Sequence, residues 1–104
     1  MKKFTTQKIK QSVPKNVQNT LFSLVEQREI EYSRLNNQQP DYLSVFKLKI
    51  LANEIKIIFI QEEPEFNQIM TMKNKEYFTM DKIYVIRDDN SDISFLTMLL
   101  PEEY

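Results

Sequence analysis

Glycine is absent from this chain of 104 residues, and so are histidine, cysteine and tryptophan. Each absence removes a class of chemistry. Without glycine there is no phosphate-cradling Walker loop, no dinucleotide-binding fingerprint and no nucleophile elbow, because all three need backbone only glycine tolerates. Turns that require positive φ must fall to Asn or Asp, and Asn36-Asn37, Asn53, Asn74 and Asp89-Asn90 stand ready for them. Without histidine the usual general base near neutral pH is missing, with the commonest metal ligand. Without cysteine there is no disulfide, no thiol nucleophile and no thiolate zinc site. Long apolar runs are missing as well: "IIFI" and "MLL" fall far short of the roughly 20 residues that span a bilayer. The expectation is a non-catalytic cytoplasmic protein without cofactor, metal or membrane contact.

What is present suits one α+β domain over residues 1–104. Apolar residues make up 41% of the chain and charged residues 28%, an ordinary globular balance. Charge is graded along it. Residues 1–35 hold seven Lys or Arg against three Glu, whereas residues 81–104 hold two against six acids. Such a gradient gives a dipolar surface, or two ends that lie together in the fold.

Periodicity supplies the elements. Residues 3–10 alternate weakly, as an exposed first strand would. One amphipathic helix follows, capped by Ser12 with Pro14 in its first turn. Val17, Leu21, Leu24, Val25, Tyr32 and Leu35 form its apolar stripe, with Arg28 at an edge and Asn36 before Pro40 at the stop. "DYLSVFKLKI" and "EIKIIFIQ" read as a hairpin turning near Asn53. In the second run Ile55, Ile57 and Phe59 share one face, and Ile58 and Ile60 the other. Pro64 ends that strand. Residues 67–75 read as either a short helical turn or a loop. Residues 82–87 and "ISFLTMLL" then form a C-terminal hairpin around "DNSD", with Leu96, Met98 and Leu100 opposite Ile93, Phe95 and Leu99. The expected architecture is one helix on a strongly curved antiparallel sheet of about five strands, in the order β-α-β-β-β-β, with "EEY" at the surface. One helix cannot cover both faces of a sheet whose strands are apolar on both sides.

Four segments in order, "PDYLSVFKL", "FIQEEPEF", "KIYVIRDD" and "TMLLPEEY", resemble a family of short proteins from staphylococci, lactobacilli, related Firmicutes and their phages, known as domain of unknown function 960. Ser44 and Phe66 depart from its pattern, where Gln and Tyr are expected. The resemblance implies a cytoplasmic Firmicutes or phage origin, and it transfers no catalytic residue.

Several clusters invite a function. Glu62, Glu63 and Glu65 could hold a cation, although a solvated strand end explains them as well. Asp88, Asn90 and Asp92 have calcium-loop spacing, but Ile93 and Leu99 stand where that loop needs Gly and Glu. Lys2, Lys3, Lys8 and Lys10 beside Phe4 form a candidate nucleic-acid patch; lysines protecting an edge strand are the plainer reading. Met70, Met72, Tyr77, Phe78, Leu96 and Met98 form a candidate interaction surface, adaptable because thioethers repack easily. The expected function is a small adaptor or inhibitor whose partner is an unidentified protein or a second copy of the chain, as a homodimer. A nucleic-acid-binding accessory protein of a phage or mobile element, working through the basic N-terminus, is the alternative.

Overall fold

The computed structural model describes residues 1–90 and 93–104. Its elements are β1 (Lys2–Thr5), α1 (Gln7–Ser12), α2 (Lys15–Asn36), β2 (Leu43–Ile50), β3 (Glu54–Gln61), β4 (Phe66–Lys73), β5 (Lys82–Asn90), β6 (Ile93–Leu99) and a 3₁₀ turn (Pro101–Glu103). The strands form one sheet in the order β1-β6-β5-β2-β3-β4. β1 runs parallel to β6 and every other pair is antiparallel. The α+β class and the long helix agree with the sequence reading. The count of about five strands, the uniform antiparallel order and the strong curvature are corrected: six strands form a mixed sheet that stays open, with β1 and β4 as its edges.

Two local readings account for the difference. The expected strand over residues 3–10 ends at Thr5, because Thr6 caps a short helix by accepting the Ile9 N–H on its hydroxyl at 3.3 Å. Ile9, Val13, Val17 and Leu21 are all buried, and their spacing of four is one stripe carried across two helices. Pro14 splits that stripe, since a residue before proline is driven out of the helical region; Val13 is extended at φ −122°. Pro14 itself stands at the start of α2, where no side-chain cap is made and Ser12 takes no part. Gln18 instead crosses the break, donating to the Val13 carbonyl at 2.9 Å. The helix ends one residue later than read: Asn37, not Asn36, takes the left-handed conformation at φ 53°. It is the one positive-φ residue among those described: Asn53 and Asn74 take none, and Asp89 lies within β5, paired with Ser94.

The second difference is residues 67–75, which lie mostly in β4. Its pattern was illegible because it is an edge strand with one face under α2 and the other in solvent. Met70 and Met72 pack on the core while Ile69 is 59% exposed. The helices cover one face of the sheet. Phe46, Ile55, Ile57, Phe59, Ile83, Val85, Leu96 and Met98 meet Val17, Leu21 and Val25 there, all nearly or fully buried. Each such aliphatic or aromatic side chain stabilises the fold by about 1.5–3 kcal/mol on burial. Phe46 and Phe59 lie 4.6 Å apart between ring centres, and Phe66 meets Phe59 edge-on at 5.2 Å. The C-terminal hairpin forms as read; Asp89 and Asn90 of its "DNSD" segment extend β5, and Ser91 and Asp92 lie outside the described residues. No helix among the described residues is long and apolar enough to cross a membrane.

Candidate functional site

Two polar features mark the sheet. The first is a cluster where the C-terminal half of α2 meets the ends of β2, β3 and β5. Arg87 is buried, and its Nη1 donates to Glu29 Oε2 at 2.7 Å and to the Pro40 carbonyl at 3.0 Å. Its Nε donates to Asp89 Oδ2 at 2.9 Å. Burial pushes the Glu29 carboxyl up, against the pull of Arg87. Beside it the buried Gln61 accepts from Arg28 Nε at 3.0 Å and donates to Ser44 Oγ at 3.0 Å. The Arg28 guanidinium lies over Phe66, 3.9 Å from the ring centre. Asp41 accepts from the backbone N–H groups of Leu43, Glu62 and Glu63 at 3.0–3.1 Å. Partial burial disfavours its charged form, but those three donors prevail and hold its carboxyl below the usual carboxylate value. Every buried polar side-chain atom among the described residues has a partner. A saturated network of this kind fixes α2 to the strand ends.

The second feature is the face of the sheet away from the helices. Alternation places Leu43, Val45, Lys47 and Lys49 of β2 on it, with Lys56, Ile58 and Ile60 of β3 and Lys82, Tyr84, Ile86 and Asp88 of β5. Among the described residues no element is layered over its centre. Tyr104 folds back beside it, edge-on to Tyr84 at 5.5 Å and sharing a hydroxyl hydrogen bond with Tyr42 at 3.0 Å. The "EEY" end is thus tied down, and Glu103 also accepts from Thr6 Oγ1 at 2.8 Å. Between the tyrosines and the end of β3 runs a half-open groove of about 650 Å³, lined by Asp41, Tyr42, Leu43, Val45, Lys47, Ile60, Glu62, Glu63, Lys82 and Tyr84.

Charge on this face is sorted by position along the strands. Lys47 stands directly opposite Lys82 on β5, and Lys49 directly opposite Lys56 on β3. Opposed residues have Cβ atoms about 5 Å apart, and like charges so placed destabilise a sheet. Among the described residues no carboxylate lies within ion-pair distance of any of the four. The central row, Val45 with Ile60 and Tyr84, is apolar and half-buried. Past it, at the other end, come Glu62, Glu63 and Asp41 in the groove and the exposed Asp88 on β5.

The residues singled out from sequence are placed differently. Leu96 and Met98 are fully buried under the helices and Phe78 nearly so; Met70 and Met72 are half-buried on the same side. Only Tyr77 of that set is well exposed, at 86%. They make core, not a surface, because the Met-rich segment proved to be a strand with its methionines turned inward. The N-terminal lysines do not form one patch. Lys2 and Phe4 lie on the open side of β1, Phe4 against Phe95 at 5.6 Å. Lys3 turns to the helix side and pairs with Glu26 at 2.9 Å. Lys8 and Lys10 are on α1, Lys8 lying 3.8 Å from Glu102. No group of three acidic residues among those described could hold a metal ion. The lysine quartet is invisible along the chain, because its members come from three different strands. Only the register shows Lys56 and Lys82 beside Lys47 and Lys49.

No protein-family model matches the chain, and no curated protein does. Among solved structures it is similar to the crystal structure of a protein of unknown function from Enterococcus faecalis. The likeness has a TM-score of 0.70 and 16% identity, and covers 99% of this chain and 90% of that one. At that identity it shows the α+β fold and nothing finer.

Proposed function

We propose that the chain is a small non-catalytic interaction module, an adaptor or inhibitor, whose docking surface is the open face of the sheet. The observation that carries this reading is the half-buried apolar row Val45, Ile60 and Tyr84, flanked by Leu43, Ile58 and Ile86, with no layer above it. Six apolar side chains facing solvent together are the mark of a surface that meets another molecule. The saturated Arg87–Glu29 cluster, together with a composition that offers neither histidine nor cysteine, favours binding over catalysis. The four segments quoted above support membership of the domain of unknown function 960 family, with a cytoplasmic Firmicutes or phage setting.

A second reading keeps one observation in its favour. The lysine quartet could neutralise phosphates, which moves the nucleic-acid alternative from the N-terminus to the sheet. The acidic end of the same face works against a polyanion lying across it.

The test is capture from a Firmicutes lysate, with and without nuclease, by three forms of the chain: wild type, Val45→Glu/Ile60→Glu, and Lys2→Glu/Lys8→Glu/Lys10→Glu. The module reading expects a nuclease-resistant protein, including the chain itself, that is lost with the first variant and kept with the second. Recovery of nucleic acid alone, abolished by digestion, supports the second reading. Equal capture by wild type and Val45→Glu/Ile60→Glu removes the open face from consideration.

A further inference from the structure

The open face is charged in a way that suits its own copy. Counting rows across the strands from the central one, Val45–Ile60–Tyr84, two rows of lysine lie on one side. Lys47 and Lys82 are one step out and Lys49 and Lys56 two steps out. One step the other way lies Leu43 with Ile86, and the groove places Glu62 and Glu63 beside Leu43. Two steps out come Asp41 and Asp88, whose strands are still joined there by the Arg87 N–H donating to the Tyr42 carbonyl at 2.8 Å. The face is therefore apolar at its middle, net basic at one end, where the four lysines outnumber Glu54 in the next row of β3, and acidic at the other.

A two-fold axis laid along the central row, parallel to the sheet, turns such a face onto itself. It sets the apolar row of one copy on that of the other, and the lysine rows of each over the acidic end of its mate. Isologous interfaces demand this self-complementarity, with one patch serving both sides. Two sheets stacked this way lie about 10 Å apart, with strand directions within about 30°. The rows span about 27 Å along the strands, and five strands span about 24 Å across, on ordinary strand spacings. β3 and β4 stop at the central row on the acidic side, and β5 and β6 stop short of the outer lysine row, so each copy offers roughly 430 Å², about half the ~800 Å² per partner of a standard interface and in the range of a weak, reversible one. The opposed lysine pairs then have an explanation that the single chain lacks: their charge is neutralised only from outside.

We infer that the open sheet face is a self-complementary interface and that its occupant is a second copy of this chain, packed sheet to sheet by a two-fold. The inference rests on the open-face reading above and names the partner for it. A nucleic-acid strand is the poorer fit, because Glu62, Glu63 and Asp88 would meet its phosphates at one end, and Tyr84, the aromatic at the centre, already packs against Tyr104. Lys2, at the β1 edge, lies outside the facing area.

Charge exchange between copies tests it. Two variants are prepared from the full chain, Lys47→Glu/Lys49→Glu and Glu62→Lys/Asp88→Lys, all at exposed positions. Asp41 is left intact because it caps backbone N–H groups. Circular dichroism melts establish that each is folded. Sedimentation velocity then reads association of each chain alone and of the two mixed, at low and high salt. The expected result is a wild-type dimer weakened by salt. Each variant alone should have a dissociation constant raised by about tenfold or more, as like charges meet across the interface. The equimolar mixture should return to near wild-type affinity. A folded wild type that stays monomeric into the millimolar range overturns the inference, as does a dimer that either variant leaves unchanged or that mixing does not restore. Binding of a single-stranded oligonucleotide by a monomer, lost in Lys47→Glu/Lys49→Glu, overturns it in favour of nucleic acid. A monomer that captures a different protein, lost in Val45→Glu/Ile60→Glu, overturns the inference and leaves the interaction-module reading standing. No association or capture dependent on the open face would sink both.

Discussion

The two faces of one sheet are built from the same strands, residue by alternate residue, and meet opposite fates. Phe46 is fully buried and its neighbours Val45 and Lys47 are not. On the helix side, aromatic and branched residues pack at interior density and the polar groups, Glu29, Arg87, Gln61 and Ser44, are all satisfied within the chain. On the open side an apolar strip stays half in water and four lysines sit in like-charged pairs. One face is resolved by folding and the other is left with unfavourable features that folding does not relieve. Folded chains keep such features where something else uses them.

The contrast breaks hardest at the centre of the covered face. Phe46→Ala should destabilise the chain by about 3–5 kcal/mol, the cost of a lost ring and the cavity behind it. Val45→Ala, one residue along and on the other side, should cost the isolated chain under about 1 kcal/mol, since a surface position loses little. Urea denaturation of the two variants at a concentration too low for self-association measures both. Equal costs would mean that the open face is covered within the single chain.

Next in size is the buried ion pair. Glu29→Ala removes the more buried of the two carboxylates on Arg87, at a site where the Glu29 and Arg87 side chains are both only 7% exposed. Removing one partner of such a pair costs about 3 kcal/mol, the low end of its range because Asp89 still holds Nε. Replacing both, as Glu29→Met/Arg87→Met, should recover most of the loss, because the pair's attraction and the desolvation of its charges nearly cancel. A double-mutant cycle in urea reads the coupling. A double variant no better than Glu29→Ala would show that Arg87 is needed for its other bonds, to the Pro40 carbonyl and Asp89.

Asp41 sharpens the boundary between the faces, because it lines the open groove while fastening the backbone of Glu62 and Glu63. Its folded pKa lies below the ordinary 3.8, so its contribution is present in full above that value and is lost as pH falls through the lower, folded one. Asp41→Asn should cost roughly 1–2 kcal/mol at neutral pH, the worth of hydrogen bonds to a charged acceptor. The gap from wild type should narrow below pH 3.8. Urea midpoints at pH 7 and near pH 3 check it; a gap that stays constant would assign the effect to geometry rather than charge.

How much of this was legible beforehand also follows the two faces. Alternation in "EIKIIFIQ" correctly divides Ile55, Ile57 and Phe59 from Ile58 and Ile60, because period two is a property of one strand. The long helix and the C-terminal hairpin were legible for the same reason. What failed were features that depend on a neighbour. The Met70–Met72 strand lacks a strong pattern because one side is an edge, and α1 was hidden because Pro14 interrupts a stripe that began at Ile9. The lysine quartet was hidden most completely. Lys47 and Lys49 come from β2, Lys56 from β3 and Lys82 from β5, and only the pairing of three strands brings them together.

The smallest predicted effect is the one that separates the two faces most cleanly. In the isolated chain Lys49→Glu replaces a like-charge pair with an attractive one opposite Lys56, so it should stabilise the fold by about 0.2–1 kcal/mol. Exposed polar positions chosen only for solubility or fit within the chain do not ordinarily hold the less stable residue in such a pair. The gain should fall with added salt, since both side chains reach water. If Lys49 serves an interface, the same substitution must act in the opposite direction on association, raising the midpoint of a dilute sample and weakening the dimer in a concentrated one. Thermal melts across protein concentration read both at once. A midpoint that rises with concentration for wild type, and that starts higher yet stays flat for Lys49→Glu, is the expected pair of curves. Parallel curves would leave the lysines as a minor cost of the fold with no partner to relieve it.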